Sequence, residues 1–136
     1  MSELKKYQMF IDGQWVDSDT KKTFETLNPE NNKPWAVVPE ASANDVDRAV
    51  KAAQKAFEGE WPKMLARDRA KYLRAIGNKL RENSELLGKI ETIDTGKLYR
   101  ETYQQAKYIA EYYDYYAGLA DKVEGTVLPI DKPNIQ

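Results

Sequence analysis

Short apolar runs separated by turn-forming polar residues occupy the first forty positions, and a helical period then lasts to about residue 120. Residues 8–11 and 14–16 flank Asp12-Gly13 and predict a β-hairpin. Asp-Gly accepts the positive φ angles of a type I′ turn, which match strand twist. Residues 23–27 predict a second extended piece, closed by Asn28-Pro29, because proline restrains its own φ and keeps the residue before it extended. A short strand over 35–38 follows the turn-rich run from Glu30 to Lys33, and pairing of these two strands is expected.

The helical period then begins. Ser42 reads as a helix N-cap, with Asp45 three residues on and able to reach back to it. Val46, Ala49, Val50, Ala53, Ala56 and Phe57 form one apolar stripe, ended by Gly59. A second helix is predicted over 66–81, with Leu65, Tyr72, Leu73, Ile76 and Leu80 facing inward. Ser84 is predicted to cap a third, with Leu86, Leu87, Ile90 and Ile93 inward and Gly96 as its stop. A fourth, over 101–120, carries most of the tyrosines. Residues 122–130 return to a strand-like spacing of Val123, Val127 and Ile130, before a turn at Asp131-Lys132-Pro133. Strands, then about four helices, then one C-terminal strand make an α+β chain.

Composition narrows the function. The 136 residues suit one domain, and 41% apolar with 32% charged residues is a globular composition. Lys+Arg 21 against Asp+Glu 22 leaves a net charge of −1, which disfavours nucleic acid as a partner. No apolar run approaches a membrane span, and the N-terminus lacks an apolar signal core, so a cytoplasmic location is expected.

The chain has no cysteine and no histidine, which removes a thiolate nucleophile, an imidazole base and a thiolate metal site. Its 7 glycines form no G-x-G-x-x-G turn. Gly96-Lys97 is no phosphate loop: the first glycine is missing and Leu98 stands where Ser or Thr is needed. The paired acids Glu58 and Glu60, and Asp17 and Asp19, fall in predicted loops and read as solvated charges. Asp94 sits at the partly negative end of the third helix, where a carboxylate is disfavoured by roughly 0.3–1 kcal/mol. From spacing alone it reads as a solvated acid beside Lys97. The seven tyrosines from Tyr99 to Tyr116 point to core and interface packing. Glu101, Glu111, Asp114 and Asp121 lie among the rings and argue against stacking on nucleic acid.

Six phrases stand in order: FIDGQWV, TLNPE, VPEAS…DVDRAVKAAQKAF, RAKYLRAIGNKL, ETIDTGK and YYAGLADKVEG. As a set, from about residue 9 to 130, they resemble the opening stretch of an NAD(P)-dependent aldehyde dehydrogenase. The resemblance implies that the chain is part of the α/β fold of that family. Residues 1–121 would belong to the N-terminal part of the cofactor-binding domain. Residues 122–136 would begin an oligomerisation arm that is truncated here. The full-length parent would oxidise an aldehyde to a carboxylic acid with NAD or NADP, through a cysteine this chain lacks. Alone, the chain would be inactive, would bind no nicotinamide cofactor and would serve as a scaffold.

The resemblance also implies site residues. The D-x-G-K phrase places Asp94, and the T-x-N-P phrase places Thr26 and Leu27, where some members hold a monovalent cation, K⁺ or Na⁺. Tyr108 and Tyr112 fall where the family's substrate entrance lies. The partners implied are the remainder of the dehydrogenase chain and, in the parent, further copies of itself. No nucleic acid and no membrane are expected. The alternative is a stand-alone module that pairs with a dehydrogenase subunit or another protein.

Overall fold

The computed structural model describes residues 4–126. A two-residue strand, β1 (Lys5–Lys6), precedes the hairpin β2 (Met9–Ile11) and β3 (Gln14–Val16). Then come β4 (Thr23–Asn28) and β5 (Lys33–Pro39). Four helices follow: α1 (Ala43–Glu58), α2 (Ala66–Glu82), α3 (Ser84–Thr95) and α4 (Tyr99–Leu119), with a 3₁₀ turn at Trp61–Lys63 before α2. The α+β expectation holds.

The hairpin turns at Asp12 and Gly13, with φ 49° and 77°, as its Asp-Gly pair requires. β4 and β5 pair antiparallel, with Glu25 opposite Val37. β1 adds to the far side of β5 in parallel, Lys5 opposite Ala36. No apolar alternation marks β1. Its anchor is Tyr7, whose amide donates to the Val37 carbonyl at 3.0 Å and whose ring meets Trp35 edge-on, centroids 6.1 Å apart. The Tyr7 hydroxyl and the Trp35 indole nitrogen are buried without a hydrogen-bond partner among the described residues.

Ser42 caps α1 as expected. Its hydroxyl accepts the Asp45 amide at 3.1 Å, and the Asp45 carboxylate accepts the Ser42 amide at 3.0 Å. Asp45 does more than cap. It is fully buried, and it also accepts the Ser18 hydroxyl at 2.9 Å, the Asp19 amide and the Arg48 guanidinium. One carboxylate thus ties the loop after β3 to the start of α1. The Ser42 amide does most to hold its pKa far below the usual carboxylate range, with Arg48, Ser18 and Asp19 adding to it against the opposing pull of burial.

Two expectations about the helices fail. Ser84 is the first residue of α3 and not its cap: Asn83 holds the cap position, and the Ser84 hydroxyl turns back to donate to the Arg81 carbonyl at 2.9 Å. The predicted inward stripes do not form the seams either. Val46, Val50 and Phe57 of α1 are 55%, 59% and 73% exposed, and Leu65, Tyr72, Ile76, Leu86, Leu87 and Ile93 are exposed as well. Leu73, Leu80 and Ile90 are half-buried. The buried positions are small: Ala70 and Gly77 of α2, Gly88 of α3, and Thr102, Ala106, Ala110 and Ala117 of α4.

The physical reason is proximity. A Cβ built on Gly88 would lie 2.9 Å from the Cα and N of Tyr103, so the α3 and α4 backbones touch there. Helices this close leave no room for a leucine between them. The Thr102 hydroxyl fills the gap and donates to the Gly88 carbonyl at 2.9 Å.

Gly96 ends α3 in the left-handed region, φ 74°, as expected. Residues 122–126 form no strand, and the remainder of that predicted element, with the Asp131-Lys132-Pro133 turn, lies outside the described residues. No helix among the described residues is long and apolar enough to cross a membrane.

Candidate functional site

The end of α3 meets the middle of β4. Gly96 lets the chain turn sharply there, and its open face lies against Pro29: an added Cβ would approach the Pro29 ring to 2.9 Å. The turn sets Asp94 beside Thr26, sixty-eight positions away in sequence, and the Thr26 hydroxyl donates to the Asp94 carboxylate at 2.7 Å. A hydroxyl donor offsets part of the disfavour of a carboxylate at a helix C-terminus. The β4–β5 register shifts between Thr26 and Leu27, which breaks the ladder at that point. Asp94 and the Leu27 side chain are exposed, and Thr26 is half-buried. Thr26 and Asp94 are therefore brought together, while Leu27 brings only a backbone carbonyl to the question.

Carboxylate, hydroxyl and carbonyl oxygens are hard donors and suit an alkali cation in kind. The charge present, a single carboxylate, suits a monovalent ion. Among the described residues no group of three or more His, Cys, Asp or Glu gathers as a metal site.

The second candidate region is one face of α4. The hydroxyls of Tyr108 and Tyr112 are 3.2 Å apart and their rings meet edge to face, 5.0 Å between centroids. The bond to Tyr108 raises the Tyr112 pKa above the usual phenol value. Both rings are exposed, 57% and 48%. With Glu111, Tyr115 and Tyr116 they line an open hollow of about 270 Å³. Glu111 enters the sequence reading only as an acid among the rings, and Tyr115 and Tyr116 only as members of the tyrosine-rich run. The signal was available, because positions 108, 111, 112, 115 and 116 follow the i, i+3, i+4, i+7, i+8 spacing of a single helix face.

The class of protein follows from comparison of this fold with solved structures. An NAD-dependent aldehyde dehydrogenase from Sinorhizobium meliloti superposes with a TM-score of 0.86 at 32% identity, over 91% of this chain and 25% of that one. A betaine aldehyde dehydrogenase from Staphylococcus aureus, solved in complex with NAD+, gives 0.84 at 41% identity, over 93% and 26%. The aldehyde dehydrogenase family model matches residues 15–136, and the chain belongs to that family.

Among curated relatives, a (Z)-2-((N-methylformamido)methylene)-5-hydroxybutyrolactone dehydrogenase from Acinetobacter baylyi is 42% identical over 98% of the chain. A mitochondrial aldehyde dehydrogenase from Arabidopsis thaliana is 43% identical over 91%. The chain covers 27% and 23% of their respective lengths, and it is similar to the N-terminal part of such proteins.

The chain holds no cysteine, no histidine and no G-x-G-x-x-G turn, and no step through a cofactor is derived from it.

Proposed function

We propose that this chain is the scaffold portion of an NAD(P)-dependent aldehyde dehydrogenase that converts an aldehyde to a carboxylic acid, and that it is inactive alone. The observation that carries the reading is the family fold over nearly the whole chain, in a sequence with no cysteine. Residues 1–121 brace the cofactor-binding domain and residues 122–136 begin an arm that joins subunits. The work is positional: the α3–β4 junction fixes the strand layer against the helices, and α4 carries Tyr108 and Tyr112 at the substrate entrance. The parent is a homo-oligomer in the cytoplasm, and the partner of this chain is the remaining three quarters of the dehydrogenase.

The test is complementation. The 136-residue chain alone should reduce no NAD or NADP with a panel of aldehydes. Mixed with the complementary portion of a related dehydrogenase, it should restore turnover. Activity in the chain by itself would overturn the reading.

At the junction, Thr26, the Leu27 carbonyl and Asp94 hold K⁺ or Na⁺. The support is the 2.7 Å approach of the two side chains and their all-oxygen chemistry. In the longer protein, Thr26→Val should weaken the dependence of thermal stability on K⁺ or Na⁺ and leave kcat largely intact. Unchanged cation dependence would reduce the pair to a structural hydrogen bond.

A second reading, a stand-alone module that pairs with a dehydrogenase subunit, draws on the exposed apolar face of α1. It requires a stable complex with an intact dehydrogenase, read by co-elution. The scaffold reading requires complementation of a portion that lacks this segment.

A further inference from the structure

The start of α2 and the end of α4 border a hollow of about 280 Å³. Trp61, Leu73 and Tyr116 line it together with small alanine side chains, and Arg69 is its one charged group. Arg69 is half-buried. Its Nη1 donates to the Met64 carbonyl at 2.6 Å, which holds the guanidinium in place and uses one of its several N–H donors. Among the described residues Arg69 makes no ion pair.

The acids nearest in the chain and across the helix pair are engaged elsewhere. Asp68 pairs with Lys71, Asp114 with Arg81 and Asp121 with Lys122. The backbone does not help either. Arg69 closes the first turn of α2, where the helix macrodipole is positive and disfavours a cation. Arg74 adds a second positive charge between the two helices, its Nη2 donating to the Ala117 carbonyl at 3.4 Å. A cation taken part of the way out of water without a counter-ion raises the free energy of the fold, and an arriving anion relieves it.

The form of that anion follows from the walls. A guanidinium presents parallel donors that match the two oxygens of a carboxylate. The other walls are aliphatic and aromatic, so the body that carries the carboxylate must be apolar. The volume falls just below the roughly 300–1,000 Å³ of common ligand pockets, so the guest is small. A phosphate would set its further charged oxygens against leucine, alanine and ring carbons. A neutral guest would leave the guanidinium unpaired.

We propose that the hollow around Arg69 is a binding site for a small organic acid, a carboxylate on a compact aromatic or branched apolar body. The assignment does not rest on the dehydrogenase reading.

The experiment titrates the isotopically labelled 136-residue chain with benzoate, with benzamide as its uncharged isostere, and with inorganic phosphate. NMR follows the Trp61 indole N–H and the amides of the first two turns of α2. Benzoate should bind about tenfold more tightly than benzamide, the low end for a charge-assisted hydrogen bond. Phosphate should not displace it. Arg69→Met, which keeps the apolar stem, should erase that margin. Arg69→Lys, which keeps the charge and loses the parallel donors, should retain only part of it. Equal affinity for benzoate and benzamide, shifts confined to other elements, displacement by phosphate, or a margin unchanged in Arg69→Met would overturn the site.

The same titration on a longer protein that carries this chain separates a free acid from an acidic side chain of that protein. Benzoate selectivity that persists there and disappears with Arg69→Met upholds the site. Arg69 already paired with a carboxylate of the protein, with no response to benzoate, overturns it.

Discussion

Helices α2, α3 and α4 meet through groups little larger than a methyl, whereas α1 is held to the strand region by polar contacts centred on the buried Asp45 carboxylate, with Asn44–Asp19 and Lys55–Asp12 beside it at the surface. In the first region Gly88 lies against the Tyr103 backbone, and Ala106 and Ala110 are 7% and 0% exposed. In the second, Asp45 gathers Ser18, Asp19, Ser42 and Arg48, while the apolar stripe of the same helix stays open to solvent. The first kind of contact has no slack and no pH dependence. The second turns on one buried ionised group, with exposed polar contacts around it. Helical periodicity therefore identified a face on α1 that its own neighbours do not cover, and it overlooked the seams where the covering is complete.

The sharpest way to break this contrast is at Gly88. Gly88→Val places branched carbons where a single Cβ already meets Tyr103 at 2.9 Å. Overpacking of this kind should cost about 3 kcal/mol. Thermal unfolding followed by circular dichroism should show a midpoint lower by roughly 10 °C. A midpoint within error of the unmodified chain would mean that α3 and α4 are not in close contact.

Asp45→Asn keeps the shape and removes the charge. It should lower the midpoint by roughly 5–10 °C at neutral pH, because a buried network loses its ionised centre. The sign with pH follows from the lowered pKa. The folded value lies below the unfolded value of roughly 3.9, so the stabilisation is fully present above that range and is lost as pH falls through the folded value. Asp17, Asp19 and Asp68 are lowered too, so the informative quantity is the difference between the two chains. That gap should narrow below about pH 4. A constant gap down to pH 2 would contradict it.

Gly96→Ala should cost about 1–2 kcal/mol from the left-handed backbone, before any push on Pro29. Loss of the Thr26–Asp94 bond should accompany it, visible as a changed Thr26 environment by NMR. The smallest effect belongs to the open face of α1. Val50→Ser with Phe57→Ser should change stability by no more than about 0.5 kcal/mol per site. The same pair should reduce self-association measured by light scattering, since the exposed patch shrinks. A fall of several degrees in the midpoint would show that this face is packed after all.

What could be read from the sequence was local. Asp12-Gly13, the Ser42–Asp45 capping box and the Gly96 stop are each fixed by backbone chemistry within a few residues, and each formed where expected. What could not be read was long-range and quiet. β1 is two lysines with no alternation to mark them, and its strand character comes from pairing with β5. The Ser84 cap failed because Asn83, one residue earlier, holds that position. Gly77, Gly88 and Ala110 carry no periodic signal of their own, because the pattern of large apolar side chains is blind to residues whose value is their lack of size. Thr26 and Asp94 were paired through family resemblance, since nothing in their own spacing joins positions so far apart.

The strand layer also carries its own optical label. Of the three indoles, Trp15 and Trp61 are 68% and 43% exposed, whereas Trp35 is half-buried against Tyr7 with its ring nitrogen shut away from solvent. An indole so shielded emits at shorter wavelength than its hydrated counterparts. The nearby phenol can pass excitation to it. Acrylamide should therefore quench the red part of the emission first and leave a blue remainder that belongs to Trp35. Because Tyr7 follows β1 and its amide pairs with Val37 of β5, loss of that remainder would signal detachment of the first strand while the four helices still give their full circular dichroism.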